Sequence, residues 1–350
     1  MESNAAMGVA LHAVGGLAAG SFYAPLKKVQ GWAWESSWLA MGLAAWMFAP
    51  WLVAWLTIPD LLGVLAESWR DSPGTWLAAV GFGLLWGVGN LAFGLSIRYL
   101  GMALGYAIAL GACMGFGTLL PPIVEGRLAG MLQTFDGAVV FSGALLGLVG
   151  VGMCGIAGRR REAEQASDDV TERLNGSSSK GIAVALVAGL LSACFAFGLT
   201  AGKPIADVAV NRGAAPLYAN NAVLVVILIG GFVSNATWCC WLLTKNRTWT
   251  DYRPLTNNWM SNVALALVAG VIWFGQFFFY GMGSTKLGET YDFASWSIHM
   301  AFIIVFSSFW GLLFREWRGV GGVTMAWVYA GLLGLVGSTI VIGWGSALAG

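Results

Sequence analysis

The sequence has few charged residues. They make up 10% of the 350 residues, whereas apolar residues make up 58%. Soluble domains contain about 25% charged residues, so this composition excludes an ordinary soluble domain. The formal net charge is +1, without a block of like charge, and the footprint of a nucleic-acid-binding protein is therefore missing. We expect no DNA or RNA partner, and we interpret the chain as a protein embedded in a lipid bilayer.

Motifs for metal binding and hydrolysis are also missing. The chain has two histidines, and its five cysteines lie in apolar stretches without a C-x-x-C spacing. This pattern favours buried core cysteines over disulfides or zinc ligands. We predict neither a metal site nor a cofactor. A polytopic membrane enzyme would need clustered His, Asp or Glu residues at the membrane interface, so it is the least favoured alternative.

Long apolar runs dominate the chain. Backbone polar groups inside lipid must be satisfied within the segment, so runs of about 20 apolar residues are expected to be helices. The sequence therefore predicts an all-α polytopic membrane protein with ten transmembrane helices. The runs cover residues 5–26, 36–58, 75–97, 100–124, 135–157, 181–202, 215–243, 260–283, 291–314 and 321–347.

A polar segment divides the chain into two halves of five spans. We predict a first five-helix repeat at 1–157, a polar cytoplasmic linker at 158–180, and a second five-helix repeat at 181–350. Because each half has an odd number of spans, the second would enter the membrane from the opposite side, as an inverted repeat. Internal similarity supports this, since four residues recur at a separation of 187: Trp86, Gly94, Leu100 and Gly101 match Trp273, Gly281, Leu287 and Gly288.

The loops differ in positive charge. Those after odd-numbered spans contain 13 Lys and Arg residues, whereas the opposite side contains five. Positive loops remain in the cytoplasm, so we predict that both termini lie on the opposite side of the membrane.

Ionisable residues inside spans are functional candidates, because a charge at the membrane centre is costly. In the ninth predicted span, Asp292, Ser295, Trp296 and His299 share one helix face. Asp292 and His299 could exchange a proton there, since burial disfavours the charged form of both groups. Alternatively, Asp292 is a helix-end charge near the interface and His299 is a hydrogen-bonded core residue.

The first spans contain further candidates. His12 is either a proton carrier or a satisfied core histidine, and Tyr23 follows it along the predicted helix at near-helical spacing. Glu35 is either a first-turn charge favoured by the helix dipole or a residue that faces a cavity. Lys27 and Lys28 are most simply interfacial anchors.

Amide and aromatic side chains form two helix faces that suit a polyol ligand. Amides hydrogen-bond hydroxyl groups, and aromatic rings cover apolar sugar faces. Trp273, Gln276 and Tyr280 share one face, and Trp86 and Asn90 share another on the repeat-related helix. An amide from each half could thus converge near the membrane midplane. The alternative is interhelical hydrogen bonding by Asn90 and Gln276.

Ordered motifs run along nearly the whole chain. They are Phe22-Tyr23-Ala24-Pro25 with Lys27-Lys28-Val29, Trp34-Glu35, Trp86-Gly87 with Gly89-Asn90, Arg98-Tyr99-Leu100-Gly101-Met102, Gln276-Phe277-Phe278-Phe279-Tyr280, Tyr291-Asp292 with Ser295-Trp296, His299-Met300 and Glu316-Trp317. Together these motifs resemble the L-rhamnose-proton symporter family. The central linker, Asn257-Asn258 and the glycine-rich tenth span differ from the family pattern.

The resemblance implies the drug/metabolite transporter superfamily, the bacterial inner membrane and proton-driven uptake of L-rhamnose or a related 6-deoxyhexose. It implies a small sugar and the lipid bilayer as partners, without an obligatory protein partner. An exporter or exchanger of another metabolite is the alternative within transport, and a passive channel is a third possibility. We expect Asp292, His299 and His12 to couple protons. The expected sugar contacts are Tyr23, Glu35, Asn90, Trp273, Gln276, Tyr280 and Trp296.

Overall fold

Ten helical segments in the structure are long and apolar enough to cross a membrane. The computed structural model describes residues 4–100, 102–165, 179–254, 258–287 and 293–349, and every regular element within these ranges is helical. The prediction of an all-α chain with ten spans is therefore confirmed. In chain order the spans are Ala5–Leu26, Trp34–Thr57, Pro73–Ile97, Ala107–Val124, Phe135–Gln165, Ser179–Asn211, Pro216–Asn246, Trp259–Ser284, Ala294–Leu313 and Gly322–Leu348.

Several spans contain more than one helix. The first contains Ala5–Ser21 and Tyr23–Leu26, and the sixth contains Ser179–Ala201 and Lys203–Asn211. The seventh begins with a 3₁₀ turn at Pro216–Tyr218 before Asn220–Asn246. The third and fourth belong to the longer helices Pro73–Leu100 and Met102–Val124. Shorter helical segments between spans are Leu61–Asp71, Leu128–Met131 and Thr248–Tyr252.

The second span changes its helical type near its middle. The α-helix Trp34–Gly42 continues as a π-helical segment, Leu43–Phe48, before the α-helix Ala49–Thr57. Pro50 follows the wide turn, and its missing N–H removes one i→i−4 hydrogen bond from the regular ladder. π-Helical turns inside α-helices are frequent at functional sites, and this one contains Trp46.

The chain forms two compact units that each combine segments from both sequence halves. We call Met1–Leu17, Gly89–Ala196 and Gly283–Gly350 the histidine unit, because it contains both histidines. Ala18–Val88 and Phe197–Met282 form the tryptophan unit, which contains a cluster of indole rings. The predicted inverted repeats, 1–157 and 181–350, are continuous stretches of sequence, so they are a different division from these units. The repeat arrangement remains a prediction.

Different side chains pack the two units. In the histidine unit, the fifth and tenth spans pack extensively against each other, and Ser338 Oγ donates a hydrogen bond to the Gly143 carbonyl oxygen, 2.7 Å away. In the tryptophan unit, the seventh span is central, and the run Ala222–Leu228 is fully buried. Small residues bring the first pair of helices together, whereas branched apolar side chains fill the second unit.

Candidate functional site

Both histidines are buried and lie together in the histidine unit. The imidazole of His12 on the first span and that of His299 on the ninth have ring centroids 5.9 Å apart. This places two of the three predicted proton-coupling residues in one cluster. The third, Asp292, lies outside the described residues.

Glycines permit the close approach that this cluster requires. A Cβ atom at Gly283 would lie 2.9 Å from His12 Nε2, and a Cβ atom at Gly16 would lie 2.8 Å from the Phe302 carbonyl carbon. Larger residues at either position would push against the imidazole or the ninth helix. Gly16 therefore permits the close contact between the first and ninth helices, and Gly283 permits the eighth helix to approach His12.

Trp296 is held firmly beside the histidines. It is buried, and its Nε1 donates a hydrogen bond to the Cys113 carbonyl oxygen at 3.0 Å. The indole stacks on Phe195 with centroids 6.0 Å apart, and its centroid lies 6.3 Å from that of His299. Because the N–H is engaged, Trp296 could offer a ligand only its ring. Its predicted sugar contact stays a prediction.

Hydroxyl groups accompany the imidazoles on the ninth helix. The hydroxyls of Ser297 and Thr118 form a buried hydrogen bond of 2.7 Å. The Ser295 hydroxyl is also buried, and it has no hydrogen-bond partner among the residues that the structure describes. Ser295 lies four residues before His299, on the same helix face. An unsatisfied hydroxyl near an imidazole is a suitable element for proton relay.

The tryptophan unit contains a buried aromatic cluster. We define the tryptophan cluster as Trp38, Trp46, Trp86, Trp273 and Phe277. Trp46 lies at its centre, with its ring centroid 5.3 Å from that of Trp273, 6.3 Å from Trp38 and 6.5 Å from Trp86. Trp273 and Phe277 are 4.9 Å apart. The Trp46 indole N–H is buried and has no hydrogen-bond partner within the described part of the chain.

Gln276 and Tyr280 lie on the same helix as Trp273. Both are buried, and Gln276 Nε2 donates to the Trp273 carbonyl oxygen at 3.0 Å. This bond uses one amide hydrogen, whereas a glutamine amide has two donors and an accepting oxygen. The predicted face of Trp273, Gln276 and Tyr280 thus forms one buried group of side chains that combines aromatic rings with an amide.

Asn90 belongs to the other compact unit. It is half-buried in the histidine unit, one helical turn after Trp86. The predicted convergence of Asn90 with Gln276 therefore concerns residues of different units, and it stays a prediction.

Glu35 has well-defined structural partners. Its buried carboxylate accepts hydrogen bonds from Asn246 Nδ2 at 2.8 Å and Thr248 Oγ1 at 2.9 Å. These bonds join the start of the second span to the end of the seventh, and Tyr252 supports the same region by donating to the Ser36 carbonyl oxygen at 2.8 Å. Burial raises the pKa of Tyr252, which keeps this donor protonated. Both Glu35 bonds go to Oε1, and the predicted sugar contact by Glu35 stays a prediction.

Tyr23 lies at the surface of the tryptophan unit. Its side chain is 45% exposed, and its ring meets Phe22 edge to face. It lines a cavity together with Trp38, which connects this region to the tryptophan cluster. Of the predicted sugar contacts, Tyr23, Glu35, Trp273, Gln276 and Tyr280 thus belong to the tryptophan unit.

Sequence reasoning missed Trp38 and Trp46. The chain has 19 tryptophans, and most of those in a membrane protein are expected at interfaces, so the two residues carry little individual signal. Trp34 and Trp38 have an i, i+4 spacing that predicts a shared helix face. The position of Trp46 could not be found in this way, because the π-helical turn changes the register after Gly42.

Comparisons with known proteins agree with the motifs. The sequence profile described as L-rhamnose-proton symport protein (RhaT) matches residues 1–348. A protein of Cronobacter sakazakii named L-rhamnose-proton symporter is 33% identical over 350 residues, covering 99% of each chain. Proteins with the same name from Klebsiella pneumoniae and Salmonella paratyphi A are also 33% identical, covering 97% and 99% of this chain and 98% and 100% of their own.

Proposed function

Because the chain belongs to the L-rhamnose-proton symport protein family, we propose that it is an L-rhamnose-proton symporter and not an enzyme. The observation that carries this proposal is the family match over residues 1–348, which leaves almost no part of the chain outside it. The chain is a multi-pass membrane protein, as its ten apolar spans indicate. The proposed mechanism is alternating access, in which the loaded or the empty carrier changes its orientation and the half-loaded carrier does not.

In this proposal, the histidine unit handles the proton. His12 and His299 supply two adjacent imidazoles in apolar spans, and ionisable groups in such positions commonly mark proton relays. Asp292 precedes the ninth helix in sequence and is the proposed primary carrier. Protonation would neutralise its carboxylate, and His299 or His12 would share or relay that proton. No cofactor other than the proton is needed.

The tryptophan unit handles the sugar. Gln276 supplies hydrogen-bonding capacity within an aromatic wall that includes Trp273, and Tyr280 lies one turn further along the same helix. This combination suits a deoxyhexose, because an apolar ring face can stack on an indole while hydroxyls bond to the amide. The sugar contacts expected at Asn90 and Trp296 belong to the histidine unit and stay predictions. Related 6-deoxyhexoses such as L-fucose differ in hydroxyl arrangement and are expected to bind less well.

Loop charge supports an orientation in the bacterial inner membrane. The 13 positive residues after odd-numbered spans favour a cytoplasmic linker at 158–180 and periplasmic termini. Under this orientation, one proton entering with the sugar moves down the membrane potential. It releases about 2.3 kcal/mol per 100 mV, with about 1.36 kcal/mol more for each pH unit. A single proton can therefore drive substantial accumulation.

Proteoliposomes with controlled gradients test the proposal. We expect uptake of labelled L-rhamnose to exceed equilibrium when the outside is acidic and the inside is negative, and to fall to equilibrium when both gradients are removed. Uptake that is insensitive to both gradients would contradict symport. A panel of competing sugars, including L-fucose, measures selectivity, and an active exporter would show the opposite dependence on gradient direction.

Asp292→Asn separates coupling from binding. The variant is expected to lose accumulation against a gradient while it still exchanges labelled for unlabelled rhamnose, because a permanently neutral side chain needs no proton. Asp71→Asn is the matched control, since Asp71 is an exposed carboxylate at the end of Leu61–Asp71. Full concentrative uptake by Asp292→Asn would remove Asp292 from the coupling mechanism, even if symport itself persisted.

A further inference from the structure

A cavity with aromatic walls lies between the first and second spans, within the tryptophan unit. Its volume is about 160 Å³. This is too small for a drug-sized ligand, but a cavity of about 150 Å³ accommodates a benzene molecule. Because the cavity is partly open, it can hold the six-membered ring of a pyranose while the ring substituents extend out of it. The cavity therefore has the size of a single ring. It is lined by Tyr23, Leu26, Val29, Trp32, Trp34, Ser37 and Trp38.

The cavity offers hydrogen bonds to a ligand as well as aromatic surfaces. Trp32 Nε1 is buried and has no hydrogen-bond partner within the described ranges. Ser37 Oγ donates to the Ala33 carbonyl oxygen at 3.3 Å, which leaves its lone pairs able to accept a bond. A buried N–H without a partner is unfavourable, and a small shift of the Trp32 indole would let a ligand hydroxyl in the cavity bond to it.

Neighbouring residues hold the cavity wall in place. The Trp32 ring meets Tyr252 edge to face, with centroids 5.4 Å apart. Tyr252 is itself fixed by donating to Ser36 and by accepting at its carbonyl oxygen from Trp259 Nε1, 3.0 Å away. The backbone N–H of Ala33 donates to Asp251 Oδ2 at 2.8 Å. The wall is thus preorganised, which reduces the entropy lost on binding.

The cavity is joined to the tryptophan cluster by stacked and edge-to-face indoles. Trp34 stacks on Trp38 with centroids 5.3 Å apart, and Trp38 meets Trp46 at 6.3 Å. Trp38 Nε1 donates to Asn235 Oδ1 at 3.2 Å, so Trp38 presents its ring to the cavity while its N–H is engaged elsewhere. A continuous series of aromatic rings therefore leads from exposed Trp34 to buried Trp273.

We propose that this cavity is a second sugar subsite, separate from the contacts at Gln276, that holds a deoxyhexose as it enters or leaves the protein. The ligand class is a pyranose with one apolar face, since the walls are aromatic and the free hydrogen-bonding groups suit hydroxyls. The subsite rests on the proposed function. Under the predicted orientation the loop after the first span is cytoplasmic, which makes the cavity a release subsite.

Thiol protection tests the subsite directly. Ser37→Cys introduces a thiol into the cavity wall, and its reaction with a methanethiosulfonate reagent is measured in the full-length protein over a series of L-rhamnose concentrations. The native chain, whose cysteines are buried or half-buried, gives the background. We expect L-rhamnose to slow the reaction. The rhamnose concentration that gives half of the maximum protection should stay the same when Gln276→Ala is added to Ser37→Cys. The KM for uptake should rise in the Gln276→Ala protein.

Trp32→Phe is the second test, because it removes the N–H and keeps the ring against Tyr252. It should raise the half-protecting rhamnose concentration by about 2- to 10-fold, the range expected for one hydrogen bond. Trp51→Phe is the matched control, since Trp51 also has a buried indole N–H without a partner in the described structure but does not line the cavity. It should leave protection unchanged.

The outcomes separate the two proposals. If protection shifts together with the uptake KM in the Gln276→Ala background, the thiol reports binding at Gln276 and the second subsite is wrong, although transport stands. If the protein takes up rhamnose but rhamnose does not protect the thiol, the second subsite is also wrong and transport again stands. Absence of both uptake and protection contradicts the proposed function, and the subsite with it.

Discussion

The histidine unit and the tryptophan unit bury their candidate residues in different ways. His12 and His299 meet because Gly16 and Gly283 let helices approach closely, whereas Trp46 and Trp273 fill space with large rings. The first arrangement places titratable groups among small residues, and the second provides broad apolar surfaces beside an amide. This difference suggests that proton coupling and sugar recognition are separable functions, which variants can test.

The largest expected effect is on coupling, in His299→Gln. Glutamine keeps a polar side chain but cannot titrate, so the variant should lose rhamnose accumulation while sugar binding is retained. At 100 mV the accumulation ratio would fall by about 50-fold, the factor that corresponds to moving one charge. Uptake in proteoliposomes and equilibrium binding measure the two properties. If His299→Gln weakened rhamnose binding but left rhamnose accumulation intact, the histidine unit would serve sugar recognition instead of proton coupling.

Gly16→Ala should destabilise the histidine unit. The added Cβ would overlap Phe302, whose backbone cannot move without moving the ninth helix, and overpacking of this kind costs about 1–3 kcal/mol. Gly152→Ala is the control in the same unit, because a Cβ atom there meets open space. Thermal unfolding in detergent compares them. Equal midpoints would mean that close approach at Gly16 is unimportant for stability.

Gln276→Ala should affect sugar recognition more than coupling. Losing one hydrogen bond to the sugar is expected to raise the KM for rhamnose by about 2- to 10-fold, while the ratio of protons to sugar stays constant. Gln133→Ala is the control, since Gln133 is exposed and outside the spans. Uptake kinetics with simultaneous measurement of internal pH gives both quantities. An unchanged KM would argue that Gln276 serves only to bond its own helix.

The ten spans were predictable because membrane burial demands long apolar segments, and that demand is visible in composition. The segment Leu61–Asp71 was not predicted, since it is too short and too polar for a span and its helix depends on packing and on Asp60, whose side chain accepts from Gly63 N. The interruption at Phe22 and the π-helical turn at Leu43–Phe48 were also missed. Both are local changes of hydrogen bonding that leave hydropathy unchanged.

Residues of the candidate site were easier to predict from the sequence when their residue type is rare in the chain. Only two histidines occur, so their placement in apolar runs was a strong signal, and the structure brings them together. Trp273 and Gln276 were found through helical spacing. Trp46 could not be distinguished among many tryptophans, and the partners of Glu35 lie at the end of the seventh span, more than 200 residues away. Long-range contacts of this kind are not encoded in local periodicity.

The smallest expected effect concerns the polar contact between the fourth and ninth spans. Thr118→Val keeps the side-chain shape but leaves the buried Ser297 hydroxyl without its partner, so stability should fall by about 1 kcal/mol. Adding Ser297→Ala removes the unpaired hydroxyl and should recover most of that loss. Thr237→Val is the control, because its hydroxyl bonds to Val233 of the same helix at the surface of the tryptophan unit. The contradicting result is a double variant that is clearly less stable than Thr118→Val. The two hydroxyls would then contribute to stability independently, and their contact would not support the packing that positions His299.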